Sequence, residues 1–279
     1  LHSVFPDQAL IDMHAVTEFL ASQGLRVPHL IRTTDGQLFT RDHNNLRWRL
    51  YSWIEGYIYE SAINAPIARE AGRMVGVMHK ALQNFAYTPQ GIPHFHDTPY
   101  IFRELEKVSH QLPELAQELA AQVLIDGPSV IIDESTLATQ IIHGDLKISN
   151  ILFNEAGQAI GVIDFDTLLR RPRAIDMGDA LRSWCNRTGE DDPQAIFDLA
   201  LFEAAEDGYR QGFNLGLDER KLHRCAAKQI AYELAARSLI DMVTDNYFSY
   251  DDERFPSRIA QNFARAIGQV HLAESIEIT

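Results

Sequence analysis

The stretch 141–153, IIHGDLKISNILF, constrains the fold more than any other part of the chain. Ile141 and Ile142 read as the end of one buried strand and Ile151 to Phe153 as the start of another. The residues between them, which include a His, an Asp, a Lys and an Asn, then form a tight loop fixed at both ends. Polar side chains on a loop held by rigid neighbours are well placed for chemistry. The turn NEAG at 154–157 returns the chain as a second strand, AIGVIDFD, so a hairpin follows the loop directly. Asp145 and Asn150 share the loop, and Asp164 arrives at the end of the returning strand. The three side chains are therefore able to converge on one point.

The rest of the chain has two parts of different character. Behind Pro6, apolar residues at Leu10, Met13, Val16, Phe19 and Leu20 recur at helical spacing, with Asp7 expected as the cap. Residues 28–56 offer three short extended runs separated by the turn-rich clusters TTDG and DHNN, which predicts an antiparallel meander with its charged middle strand at an edge. After Gly56 the pattern changes to long helices. Ile67, Ala71, Met74, Val75, Met78 and Leu82 form one apolar stripe, and a helical stretch from Tyr100 to Leu124 is split at Pro113. Three further amphipathic helices are expected at roughly 193–213, 218–245 and 255–277, with breaks at NLGLD and NYFSYDDERFP. These stripes read as core. The expectation is an α+β chain with a small antiparallel-sheet part at 1–55 and a mainly helical part at 56–279 that carries the loop.

Composition narrows the function classes. With 279 residues, 46 % of them apolar, the chain has enough material for a full core and more than one lobe. A net charge of −14 gives no general attraction to nucleic acid or anionic lipid. Cys185 and Cys225 are read as buried or half-buried thiols rather than a disulfide or a metal knuckle. No apolar run was expected to reach the roughly 18 residues that a membrane span needs, and the N-terminal LHSVFPDQAL has no basic region followed by an apolar one. The default expectation is a cytoplasmic protein whose partners are small molecules, with neither nucleic acid nor membrane among them.

The spacing of the polar loop fits phosphoryl transfer from a nucleotide. That reaction needs a carboxylate to orient or deprotonate the attacking hydroxyl, the part given to Asp145. It also needs an Asn and an Asp to hold magnesium on the phosphates, the part given to Asn150 and Asp164. Lys147 is placed to neutralise charge on the transferred group, and its alternative is a solvated surface cation. An Asp and an Asn in one loop followed by a metal-binding Asp is the protein-kinase arrangement.

HGDLKISN and VIDFD resemble the catalytic loop and metal-binding segment of the aminoglycoside phosphotransferase and choline kinase superfamily, in which HGD replaces the protein-kinase HRD. RPRAIDMGDALRSW is similar to that family's next segment. Within the superfamily, IPHFHDTPYIF, IDMGDALR and NFARAIGQVHLAESIE resemble the branch containing N-acetylhexosamine 1-kinase. The resemblance implies a protein kinase-like two-lobe fold, ATP as co-substrate and Mg2+ as the metal. It also implies that Asp176 holds the catalytic loop by hydrogen bonds without touching substrate. His143 is read as a packed histidine bonding backbone near the loop.

One departure concerns the small lobe. In the superfamily a phosphate-covering hairpin and a strand with a basic residue precede the first helix, whereas this sequence opens at LHSVFPD with no Gly-rich loop before it. The small lobe is thus expected to be incomplete, because a helix and meander alone would leave a sheet edge and an apolar face exposed. A naturally short, compromised enzyme is the alternative. Asp12 stands where the first helix would offer an acid to the absent basic residue.

The nucleotide is expected between the lobes, with its adenine against the connector LYSWIEG at 50–56; Trp53 and Ile54 would flank it, or would serve as ordinary core packing. For the acceptor, Asp179 and Arg182 lie three apart on a helix and share a face, which suits an amino sugar or related sugar if it is not an intrahelical ion pair. His96 and Asp97 either line the same cleft or form an Asx-type turn before Pro99. A choline-like acceptor would call for an aromatic cage, for which Trp184 and Tyr209 are candidates. Homoserine, choline and aminoglycoside kinases, and a pseudo-kinase binding module, are the competing classes.

Overall fold

The computed structural model describes residues 6–61, 64–213, 219–245 and 247–278. Helix α1 (Asp7–Ser22) opens the described chain and buries Leu10, Met13, Val16 and Leu20 along one side. Asp7 is the first helical residue and not the expected cap. Pro6 holds the cap position without a side-chain hydrogen bond, and the Asp7 carboxylate binds Arg41 and Arg47 at 2.7 and 3.1 Å.

The meander is replaced by nested pairs. Strands β1 (Leu30–Ile31) and β4 (Leu50–Tyr51) pair antiparallel on the outside, and β2 (Thr40–Arg41) pairs with β3 (Arg47–Trp48) inside them. The third extended run therefore serves both earlier runs. Its first half closes the DHNN hairpin, where Asp42 N donates to Leu46 O at 3.0 Å, and its second half reaches back to β1. Ile31, Trp48 and Leu50 are exposed apolar side chains on this part.

The helical part begins with α2 (Ala65–Leu82), capped by the Asn64 side chain, and its predicted stripe is buried in full. It packs against α6 (Leu199–Phe213) at backbone contact: a Cβ on Gly72 would stand 2.0 Å from Ala205 O, and one on Gly208 1.9 Å from Arg69 O. Pro113 splits the next helical stretch into α3 (Thr98–Val108) and α4 (Glu114–Asp126). Helix α7 (Arg220–Thr244) packs on α3, on α5 (Arg173–Trp184) and on α8 (Arg258–Ser275). Of the expected breaks, 214–218 and Asn246 lie outside the described residues. Cys185 is a buried free thiol and Cys225 a half-buried one.

One expectation needs correction. Residues 114–136 are long and apolar enough by composition to pass for a membrane span, which the reading of the sequence missed. Regular α-helix covers only the first 13 of them, as α4, before the chain turns at Gly127.

Four short strands carry the loop. β5 (Thr139–Ile142) pairs with β8 (Leu169–Pro172), and β6 (Ile151–Phe153) pairs with β7 (Ala159–Val162) across the NEAG turn. The strand that ends at Ile142 and the one that starts at Ile151 thus belong to different ladders, and the polar loop bridges them. The connector is stitched to this frame by Tyr57, whose N–H and C=O both pair with Phe153 at 2.8 Å.

Candidate active site

Gly144 shows why the loop takes its shape. Its φ is +82°, and a Cβ there would lie 2.3 Å from Thr167 O, so only glycine lets the loop pass this close to the segment after Asp164. Helix α5 then fixes the loop through its backbone. Asp176, fully buried, accepts His143 N at 2.8 Å and Gly144 N at 2.7 Å; one turn later Asp179 accepts Leu146 N at 2.8 Å, and Trp184 donates its indole N–H to Leu146 O. The positioning role of Asp176 thus extends to Asp179. Burial works against the Asp176 charge, but the hydrogen bond from His79 Nε2 at 2.9 Å and the loop N–H groups hold its carboxyl below the usual range.

His143 joins the loop to the hairpin. Its Nε2 donates to Ile163 O at 2.9 Å and its Nδ1 accepts Asp145 N–H at 3.3 Å, so the neutral ring links the loop to the residue before Asp164. Ile163 N also donates to Asn150 O at 2.9 Å, which brings Asn150 and Asp164 side by side. Asn150 turns Nδ2 toward Asp145, to its carbonyl at 2.8 Å and its carboxylate at 3.3 Å. Its Oδ1 has no hydrogen-bond partner recorded among the described residues. Asp164 is exposed at φ +66°, a left-handed conformation in which Asp is one of the few tolerated side chains and which clusters at functional sites.

Lys147 Nζ stands 3.4 Å from Asp145 Oδ2. Burial and the neighbouring Asp179 charge push the Asp145 carboxyl above its ordinary range, with Lys147 pulling the other way. Burial opposes the Lys147 charge, yet Asp145 and Asp164 together raise its pKa.

Two cavities meet at Asp164, which lines both. One, of ≈ 460 Å³, runs between the connector and the hairpin and includes Tyr51, Trp53, Ile54, Leu152 and Asn150. Its walls are mainly apolar. Trp53 is 89 % exposed, which removes core packing as its explanation. The other, of ≈ 270 Å³, is walled by charged groups, among them Asp145, Lys147, Asp179, Arg182, Glu233 and Arg237.

Several assignments change. Asp179 and Arg182 reach the second cavity but form the intrahelical pair at 2.9 Å, and Arg182 gives its other arm to Glu190 at 2.7 Å. Their groups are engaged before any acceptor arrives. Asp97 does not line that cavity: it caps α3 by accepting Tyr100 N and pairs with His94 at 2.9 Å. His96 does line it, as a buried residue whose Nδ1 meets Glu233 at 2.9 Å and whose Nε2 meets Gly144 O at 2.9 Å. Both partners only accept, so both ring nitrogens donate and the ring is an imidazolium. In agreement, the Glu233 charge outweighs burial and raises its pKa. Asp12 is engaged elsewhere, accepting from Tyr87 Oη at 2.6 Å and Gln90 N at 2.8 Å. Trp184 and Tyr209 are sealed in the core and form no cage.

The sequence reading missed Glu233, Arg237, Tyr247 and Phe248. A signal was present: Gln229, Glu233, Arg237 and Asp241 recur every four residues, a polar ridge along α7.

A loop shaped by glycine, an Asn and an Asp brought together by a hairpin, and a cleft under a connector make up a kinase-like arrangement. Residues 3–212 match the model of the APH phosphotransferase enzyme family, and the chain belongs to that family. It is 28 % identical over 192 residues to a homoserine kinase of Pseudomonas aeruginosa, a match that covers 67 % of this chain and spans only 58 % of that kinase's length. Among solved structures it is similar to an aminoglycoside phosphotransferase from Alicyclobacillus acidocaldarius, with TM-score 0.63, 17 % identity and coverage of 96 % of this chain and 82 % of that one. An amicoumacin kinase in complex with AMP-PNP, Ca2+ and Ami also has TM-score 0.63, at 14 % identity, covering 93 % of this chain and 78 % of that one. The curated relative carries a homoserine-kinase name, so these matches do not support the hexosamine 1-kinase branch.

Proposed function

We propose that this chain transfers the γ-phosphoryl group of ATP to a hydroxyl of a small polar molecule, with Mg2+ held by Asn150 and Asp164. The observation that carries the reading is Asp164 lining both cavities, with Asp145 on the charged side and Asn150 on the apolar side. A nucleotide in the apolar cavity, its adenine against Trp53 and Ile54, would direct its phosphates toward Asp164. The connector at 50–56 then divides a small lobe, 1–55, from a catalytic lobe, 56–279.

The donor set fits the metal. Asn150 Oδ1 and the Asp164 carboxylate are hard oxygen donors with no hydrogen bond or ion pair among the described residues, and Mg2+ is commonly held by one or two side chains plus substrate phosphates. When bound, the ion would neutralise charge on the phosphates. The remaining work belongs to the chain itself. Asp145 takes the proton of the acceptor hydroxyl, a task its raised pKa favours. Lys147 offsets charge on the transferred group.

The acceptor is a small alcohol, with amino sugars and hydroxy amino acids as the two classes to separate. The amino-sugar expectation leaned on a free Asp179 and Arg182, and both are engaged. A choline-like acceptor is disfavoured, because the rings of Phe95, Tyr247 and Phe248 surround the Arg237 guanidinium, leaving no cage for a second cation. The test is ADP release with ATP, Mg2+ and a panel of N-acetylglucosamine, glucosamine, homoserine and choline, run on the wild type and on Asp145→Ala. Product with at least one acceptor, abolished in Asp145→Ala while ATP still binds, is the expected result. Full turnover in Asp145→Ala would remove the base from this account.

A further inference from the structure

The charged cavity is closely paired, and the pairing leaves one anion and one cation without a hydrogen bond among the described residues. Asp145 faces Lys147, and Arg182 lies between Asp179 and Glu190. Arg265 binds Asp191 at 2.6 Å, and Asp166 receives both arms of Arg49 at 2.5 Å. Glu233 has one oxygen on His96 and the other on the Thr98 hydroxyl, and the His96 imidazolium matches its charge. Among the described residues that line this cavity, Asp164 and Arg237 are the charged groups with neither an ion pair nor a hydrogen bond recorded. The proposed metal answers Asp164. The Arg237 charge helps to hold Glu233 ionised, but its N–H donors meet no acceptor among the described residues.

The site around Arg237 is built. Its guanidinium carbon lies 4.7 Å from the Tyr247 ring centre, 5.0 Å from that of Phe95 and 5.8 Å from that of Phe248. The two later rings are anchored to the same helix, since the Asp241 carboxylate accepts Tyr247 N at 2.9 Å and Phe248 N at 3.1 Å. Aromatic faces hold a cation in place but accept none of its five N–H donors in the plane of the fork. A half-buried guanidinium so oriented and so under-used is a receptor for a planar or tetrahedral oxyanion, which it binds with two parallel hydrogen bonds.

We infer that the acceptor molecule carries an anionic group, a carboxylate or a phosphate monoester, in addition to the hydroxyl that is phosphorylated, and that Arg237 binds it. The inference rests on the reading of this cavity as the acceptor side. It also narrows that reading, because neither a neutral sugar nor a quaternary amine offers the Arg237 N–H donors a charged acceptor.

Matched pairs test it: homoserine against homoserinamide, gluconate against glucose, and glycerol phosphate against glycerol. Binding is measured by calorimetry with and without ATP and Mg2+, on the wild type, Arg237→Lys and Arg237→Gln. A charge-assisted contact of this kind predicts that the anionic member of at least one pair binds about tenfold to a hundredfold more tightly in the wild type. Arg237→Lys keeps part of that preference and Arg237→Gln loses it, while circular dichroism and ATP binding show both variants folded. The first two pairs report a carboxylate and the third a phosphate. No anionic preference in any pair, including no binding by any member, or a preference that survives Arg237→Gln, would overturn the assignment. Failure of ATP to bind would instead strike the phosphotransferase reading, since the pairs are also measured without nucleotide.

Discussion

The two cavities that meet at Asp164 are built on opposite principles. The proposed nucleotide side is mainly apolar, and its connector carries the exposed ring of Trp53. The proposed acceptor side is walled by ionised groups, almost all of them engaged with one another among the described residues. A wall of paired charges is rigid and selective without being strongly attractive. Recognition is then left to the few groups that are not paired. The apolar side needs no such balance, because shape and a few backbone hydrogen bonds suffice for a flat base. An ion pair crosses between the two cavities: Arg49 lines the apolar one, and its partner Asp166 lines the charged one.

The comparison breaks most visibly at the base. Asp145→Asn should lower kcat by roughly 10²–10⁴-fold, the usual worth of a positioned base, with the ATP dissociation constant nearly unchanged. A parallel loss of ATP binding would mean that the two sides are not separable. Arg49→Met should come next. It leaves the Asp166 carboxylate, only 8 % exposed, without its partner, at an expected cost of about 2–3 kcal/mol, read as a fall in Tm of roughly 5 °C. No change in Tm would show that the crossing pair ties nothing together.

A pH profile sharpens the acceptor side. Asp145 must be ionised to accept a proton, and its pKa is raised, so kcat/KM should fall on the acid side at a pH above the ordinary carboxylate range. Lys147 favours the ionised form. Lys147→Met should therefore move that acid limb to still higher pH, and a limb that stays put would place Lys147 outside the charge balance. The smallest effect belongs to the other side: Trp53→Ala should raise KM for ATP a few-fold and leave Tm within about 1 °C, since so exposed a ring contributes little to packing.

What the sequence disclosed follows the same division. The loop, the hairpin and the helical stripes were legible because local spacing sets them: Asp145, Asn150 and Asp164 fall where strand ends and one turn put them. The acceptor wall was not, because its pairings join residues far apart in the chain. His96 and Asp97 are neighbours in sequence, yet one is an imidazolium tied to Glu233 in α7 and the other a helix cap. For Asp179 the spacing left acceptor contact and an ion pair with Arg182 both open; the pair forms, and Leu146 N takes the other oxygen. The nested strand pairs were missed for a related reason, since both β1 and β2 draw on the third run, and turn chemistry alone does not say which partner a strand will choose.

Calorimetric titration of ATP with and without Mg2+, on the wild type, Asp164→Ala and Asp145→Ala, tests the central claim most directly. The account predicts Mg2+-dependent binding in the wild type, loss of the Mg2+-dependent part in Asp164→Ala, and its retention in Asp145→Ala. Binding that ignores Mg2+, or that is the same in Asp164→Ala as in the wild type, would contradict the claim that Asp164 is the point where the nucleotide and acceptor sides meet.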